Sequence, residues 1–170
     1  MTKKDFDDII AKLAIKISKS DGLAVFASER AKFEGWLKLE LVGLLKKYCD
    51  TVKVEVSTPD KKRKIDIVCD EWAFELKTVN TSYTTNNVPR KTRPVPQNVT
   101  GVIEDIRKLR KQCKKKYKRV IAVIFPLDDE NKYWKKHEGR IEDKGKPNKI
   151  KGYNIKFKNK VPGKILIIEV

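Results

Sequence analysis

Apolar residues recur at helical spacing over 5–18, at Phe6, Ile9, Ile10, Leu13, Ile15 and Ile17, and predict an amphipathic first helix. Asp21-Gly22 marks its end. Ser28 suits the N-cap of a second helix running to about Tyr48, whose stripe is Phe33, Trp36, Leu37, Leu41, Leu44, Leu45 and Tyr48. The period then changes. Residues 51–57 alternate valine with polar residues, as a half-buried strand does, and 59–63 is a polar turn. Residues 64–77 read as a β-hairpin. The stretch 79–98, rich in Thr, Asn and Pro, is a long loop of the kind that is usually functional or mobile. A helix over 101–117 and a buried strand over 119–125 follow, closed by Pro126. The tail holds a short helix around 132–138 and two closing strands, 153–157 and 165–170. The order is α-α-β-β-β-α-β with a β-containing tail. It predicts one α/β domain over 1–170, with a mixed central sheet flanked by helices.

The hairpin carries the candidate chemistry. With Asp70-Glu71 as a two-residue turn, Cys69 pairs with Trp72, Ile67 with Phe74 and Ile65 with Leu76. That set is apolar and would face a core. The same register sets Asp66 opposite Glu75. Residues opposite each other share a face, and residues two apart along a strand share it too. Asp66, Glu75 and Lys77 are therefore expected to project together. Two carboxylates beside a lysine suit a hard cation held by oxygen. The competing interpretation is a solvent-facing salt bridge, which is common on sheets.

The second helix adds a carboxylate. Glu40 lies inside the apolar stripe between Trp36 and Leu44, where a charge is expensive unless it is paired or binds a cation. Glu34 also falls near the stripe, between Leu41 and Leu45, so the spacing leaves both open. The other motifs are weak. Glu130-Asn131-Lys132 and Glu142-Asp143-Lys144 repeat the Glu-x-Lys pattern in polar segments. His137 is the lone histidine, which leaves a serine-histidine triad or an ordinary zinc site short of partners.

Composition narrows the partner. The chain has 170 residues, 40 Lys+Arg against 23 Asp+Glu, and a net charge of +17. Lysine-rich thermophile proteins raise Lys and Glu together. A one-sided surplus points instead to a nucleic-acid partner. The longest apolar run, 120–125, is far too short to span a bilayer, and no secretory signal is evident. Cys49, Cys69 and Cys113 have no metal-ligand spacing and are expected to be reduced thiols in a cytoplasmic protein.

A helix with an inward Glu, a hairpin bearing Asp and then Glu-x-Lys, and a following helix and strand resemble the PD-(D/E)XK, or restriction-endonuclease-like, nuclease superfamily. The matching segments are 33–41, 65–68 and 74–77, and the resemblance covers about 28–125. It implies an αβββαβ core and a Mg²⁺-dependent phosphodiesterase acting on DNA, with Mn²⁺ able to substitute. Carried over, Asp66 and Glu75 become metal ligands, with the Leu76 carbonyl as a third. Lys77 becomes the catalytic lysine and Glu40 the helix carboxylate. The literal Pro-Asp occurs at Pro59-Asp60, in a polar turn, whereas Asp66 follows Ile65. The pairing geometry favours Asp66.

Between Glu75 and Glu104 no acidic residue occurs, and Arg90, Lys91 and Arg93 lie there among Thr, Asn and Pro. This loop leaves the strand beside Lys77 and is suited to a phosphate backbone. The expected function is a metal-dependent DNA endonuclease of restriction, junction-resolving or repair/defence type, with a homodimer expected where two strands are cut. The alternative is a non-catalytic basic nucleic-acid-binding protein.

Overall fold

The computed structural model describes residues 1–85, 88, 91–129 and 131–170. Arg90 lies outside them. Helix α1 (Lys3–Lys19) starts at a capping box. The Thr2 hydroxyl accepts the Asp5 amide at 3.2 Å, and Asp5 accepts the Thr2 amide at 2.7 Å. Ser20 then caps a separate short helix, α2 (Asp21–Glu29), by accepting the Leu23 amide. Arg30 ends α2 in the left-handed region, at φ 54°. Helix α3 (Glu34–Leu45) begins four residues later. The helix expected from Ser28 to Tyr48 is therefore shorter, α3 alone, and Ser28 does not cap it but lies inside α2, a helix not expected at Asp21-Gly22, because Ser20 is the residue that caps and Arg30 leaves the helical basin.

Six strands form one sheet: β1 (Val52–Ser57), β2 (Lys64–Cys69), β3 (Trp72–Asn80), β4 (Tyr117–Phe125), β5 (Lys149–Lys156) and β6 (Pro162–Glu169). Helix α4 (Val95–Gln112) joins β3 to β4, and α5 (Lys132–Gly145) precedes β5. The spatial order is β1-β2-β3-β4-β6-β5. The β3–β4 pair is parallel and every other neighbouring pair antiparallel. The domain is therefore mixed α/β, with the elements α3-β1-β2-β3-α4-β4 in the order expected for its central part. No helix among the described residues is long and apolar enough to cross a membrane.

The sheet is packed on both faces. Phe6, Ile9, Leu13, Leu37 and Leu41 of α1 and α3 bury against Trp72, Phe74, Leu76, Ile121 and Val123. Val99, Val102, Ile106 and Leu109 of α4, with Trp134 and Ile141 of α5, cover Ala73, Val79, Val120 and Ala122. Period-2 alternation along β3 thus sends odd-numbered side chains toward α4 and even-numbered ones toward α1 and α3.

Cys49 and Cys69 are joined by a disulfide, while Cys113 is free and buried. The expectation of three reduced thiols is corrected for this pair. The chain after α3 turns back along β2, bringing the two Cα atoms to 6.0 Å, within disulfide range. Asp70 reinforces the closure by accepting the Asp50 and Thr51 amides. With a sequence separation of 20, chain-entropy loss alone implies a stabilisation of about 3 kcal/mol. Cys49→Ser should lower the stability by that order in denaturant titration. Treatment of the wild type with reductant should reproduce the loss, and reductant should leave the variant unchanged.

Candidate functional site

Strand β2 follows β3 for only three pairs, Cys69↔Trp72, Val68↔Ala73 and Ile67↔Phe74. At the next position the Asp66 side chain replaces the ladder: its Oδ2 accepts the Leu76 amide at 2.8 Å. Two residues further on, Glu34 Oε1 accepts the Thr78 amide at 2.9 Å. Successive amides along one edge of β3 are thus satisfied by a carboxylate from β2 and another from α3. Strand β2 also changes face at this break. Ile67 and Cys69 pack toward α1 and α3, whereas Ile65 packs toward α4. Across from Asp66, Glu55 of β1 has φ 52°, outside the ordinary strand region.

Glu75 and Lys77 point from β3 toward α4, which supplies Asp105 and Lys108. Lys77 Nζ lies 3.0 Å from Asp105 Oδ2. Lys108 Nζ lies 2.6 Å from Glu75 Oε2, 3.5 Å from Asp105 Oδ1 and 3.0 Å from the Lys64 carbonyl. On the other side, Lys38 of α3 is 2.7 Å from Asp66 Oδ1 and also binds Glu55. The aliphatic part of Lys77 runs past Gly101 of α4. A Cβ at Gly101 would lie 3.6 Å from Lys77 Cε, so a side chain larger than alanine would press on the lysine.

Burial sets the protonation of this cluster. Glu75 is 2% exposed, and its Oε1 has no hydrogen-bond partner among the described residues. Desolvation pushes its carboxyl up to about 8, against the pull of Lys108 and with added repulsion from Asp105 and Asp66. Burial raises Asp105 too, opposed by Lys77 and Lys108. Asp66 goes the other way. Its burial is outweighed by hydrogen bonds from Lys38 and the Leu76 amide, so it stays below the usual aspartate range. For Lys77, burial favours the neutral amine, but Asp105 more than compensates and its pKa is raised.

The structure brings Asp66, Glu75 and Lys77 together. It does not bring Glu40. That side chain lies on the other flank of α3, 2.8 Å from Lys16 of α1. Glu34 is the helix carboxylate that meets the sheet. Six residues along an α-helix turn a side chain by about 240°, so the two could not face the same way. Asp60 is held in its own turn, accepting the Thr58 hydroxyl at 2.6 Å and the Lys62 amide at 3.1 Å. Arg93 donates to the Glu29 and Arg30 carbonyls at the end of α2. Lys91 is exposed beside Glu29, 3.7 Å from its carboxylate. Lys38, Asp105 and Lys108 were not anticipated. Asp105 carried a signal: it falls between Val102, Ile106 and Leu109 on the apolar face of α4.

No family model, curated protein or solved structure matches the chain.

The donor set suits a hard cation in kind, with oxygen ligands on Asp66 and Glu75 and one buried oxygen lacking a partner. The carboxylates are not gathered into a cage. Among the described residues, Cys49, Cys69 and Asp70 form the group of three possible ligands whose atoms lie within 4.8 Å of one another, and its sulfurs are disulfide-bonded. At Glu75 the place beside Oε2 is taken by Lys108, so a cation there would have to displace the ammonium.

The raised carboxyl has a measurable consequence. Its ordinary value is 4.5 and its folded value about 8, so between those pH values the folded chain holds more protons than the unfolded one. Stability attributable to Glu75 is therefore full below that window and falls as pH rises through it. In chelator, the melting temperature of the wild type should fall between pH 5 and pH 8 more steeply than that of Glu75→Gln. Parallel profiles would show that Glu75 ionises normally.

Proposed function

We propose that this chain is a Mg²⁺-dependent deoxyribonuclease cleaving phosphodiester bonds internally, with its active site at the break between β2 and β3. The observation that carries the reading is Glu75: a carboxylate 2% exposed, with an oxygen lacking a hydrogen-bond partner among the described residues, beside Asp66 and Lys77. Burial of such a group is costly unless a cation enters or a proton is kept. The net charge of +17 supports a polyanionic substrate. The element order and the Asp, Glu-x-Lys placement support the restriction-endonuclease-like resemblance. The αβββαβ core then corresponds to α3-β1-β2-β3-α4-β4.

Asp66 and Glu75 would hold the metal, which when bound lowers the pKa of a water and draws charge from the phosphate. Each residue around it has a definite task. Asp66 is already ionised and fixed by the Leu76 amide, so it is the preorganised ligand. Glu75 must lose its proton and exchange Lys108 for the cation. Lys77 is held protonated by Asp105, which makes it a charge stabiliser for the phosphate rather than a base. Glu34 fixes the Thr78 amide and so the edge of β3 on which Lys77 stands. Cutting both strands, in restriction-type cleavage, junction resolution or a repair or defence role, would require two such sites, as in a homodimer.

The lysine pairing favours a second reading. Asp66, Glu75 and Asp105 each have an ammonium within 3.0 Å, and such a network can be purely structural in a basic nucleic-acid-binding protein.

A cleavage assay on supercoiled plasmid, single-stranded DNA and a four-way junction separates them, with Mg²⁺, Mn²⁺ or chelator. Lys77→Ala should reduce cutting by roughly 10²-fold or more while DNA affinity stays nearly constant. Asp66→Asn should abolish cutting and Asp60→Asn should not. Glu34→Gln should impair it, whereas Glu40→Gln should leave it close to wild type. Tight DNA binding with no metal-dependent cutting on any substrate would favour the non-catalytic protein.

A further inference from the structure

Next to the charged cluster lies an open cleft of about 410 Å³ between the β1–β2 turn and α4. Lys62 and Arg63 stand on the turn side, and Arg107, Lys108 and Lys111 on the helix side. Its carboxylates are Asp60 and Glu104. Asp60 is held in its own turn by the Thr58 hydroxyl and the Lys62 amide, keeps its charge and offsets part of that of Lys62 and Arg63. Arg107 donates to the Lys144 carbonyl, which fixes it without cancelling its charge. Lys62, Arg63 and Lys111 are exposed and make no ion pair among the described residues.

Such an arrangement is unfavourable to the folded chain alone. Like charges converge from two elements that are far apart in sequence, five cations against the two carboxylates Asp60 and Glu104. A polyanion removes that repulsion and gains from counterion release. The cleft borders the candidate active site through one shared residue. Lys108 lines it and at the same time reaches Glu75 Oε2 and the Lys64 carbonyl. A chain lying between the two walls therefore comes alongside Lys108, the residue paired with Glu75. A volume of about 410 Å³ has room for a short stretch of one backbone.

We propose that this cleft binds the sugar-phosphate backbone of one DNA strand and feeds it to Asp66 and Glu75. The inference rests on the nuclease reading for its direction, but its binding arm can be tested apart from cleavage. The DNA track thus lies along the α4 side of the sheet, on residues other than Lys91 and Arg93.

The test is fluorescence anisotropy of a labelled single-stranded oligonucleotide in chelator, titrated across salt concentrations. It compares the full-length wild type with the triple variant Lys62→Ala/Arg63→Ala/Lys111→Ala. A control triple, Lys4→Ala/Lys19→Ala/Lys135→Ala, removes the same charge from exposed positions elsewhere. Loss of three phosphate contacts should reduce the slope of log affinity against log salt by about 2, at about 0.7 per contact on a single strand. Affinity near physiological salt should fall about tenfold or more, and the control should keep a slope close to wild type. In Mg²⁺ the cleft variant should show a raised KM with kcat largely retained, because Lys108 is untouched.

Equal losses in the two triples would overturn the cleft in favour of diffuse attraction, as would wild-type binding by the cleft variant. Preference for an RNA oligonucleotide, or equal competition by polyglutamate, would overturn the DNA assignment. The two readings fail separately. Cutting with unchanged KM in the cleft variant removes the cleft and leaves the nuclease. Selective loss of binding, in a chain that cuts nothing, leaves the cleft and removes the nuclease.

Discussion

The organising constraint is the edge of β3 that β2 abandons. A strand that loses its neighbour exposes amides that must be satisfied elsewhere. Here the Leu76 amide goes to Asp66 and the Thr78 amide to Glu34. Those two bonds fix a carboxylate from β2 and one from α3 on either side of Lys77. They also free β2 to change face, so that Ile65 joins the α4 layer while Ile67 stays in the other. The geometry of the cluster is thus a consequence of how the sheet ends its pairing.

That arrangement buries charge, and the neighbouring lysines answer it. Without partners, Asp66, Glu75 and Asp105 would each face a desolvation cost of several kcal/mol. Lys38, Lys108 and Lys77 offset it one by one. Compensation is uneven. Asp66 has an ammonium and an amide and is held ionised, whereas Glu75 has a raised carboxyl and an oxygen without a partner among the described residues. On the proposed reading Asp66 would be the ligand already ionised, and Glu75 the one that a cation would ionise.

Local pattern carried much of this into the sequence. The two-residue turn at Asp70-Glu71 sets the pairs Cys69↔Trp72 and Ile67↔Phe74 as expected. The alternation that puts Glu75 and Lys77 on one face follows from strand geometry. Ile65↔Leu76 was expected by extending that register and does not occur, because the Asp66 side chain captures the Leu76 amide. Glu34 and Glu40 both fit near the apolar stripe, and the choice depended on which flank of α3 meets the sheet and which meets α1. Asp105 was readable as a carboxylate on an apolar face, but its partnership with Lys77 is a tertiary fact. The Cys49–Cys69 bond likewise reflects how α3 leads back along β2, which spacing alone does not encode. The early start of α4 at Val95 shortened the loop expected over 79–98 and used Arg93 to cap α2.

The most direct measurement is a crystal soaked with Mn²⁺, with the ion located by its anomalous scattering. A single-site cation bonded to the carboxylates of Asp66 and Glu75, with the Lys108 ammonium withdrawn from Glu75, is the expected result. An unchanged Lys108–Glu75 pair with no ion at the β2–β3 break, at a pH where Glu75 is ionised, would contradict a metal-dependent active site there.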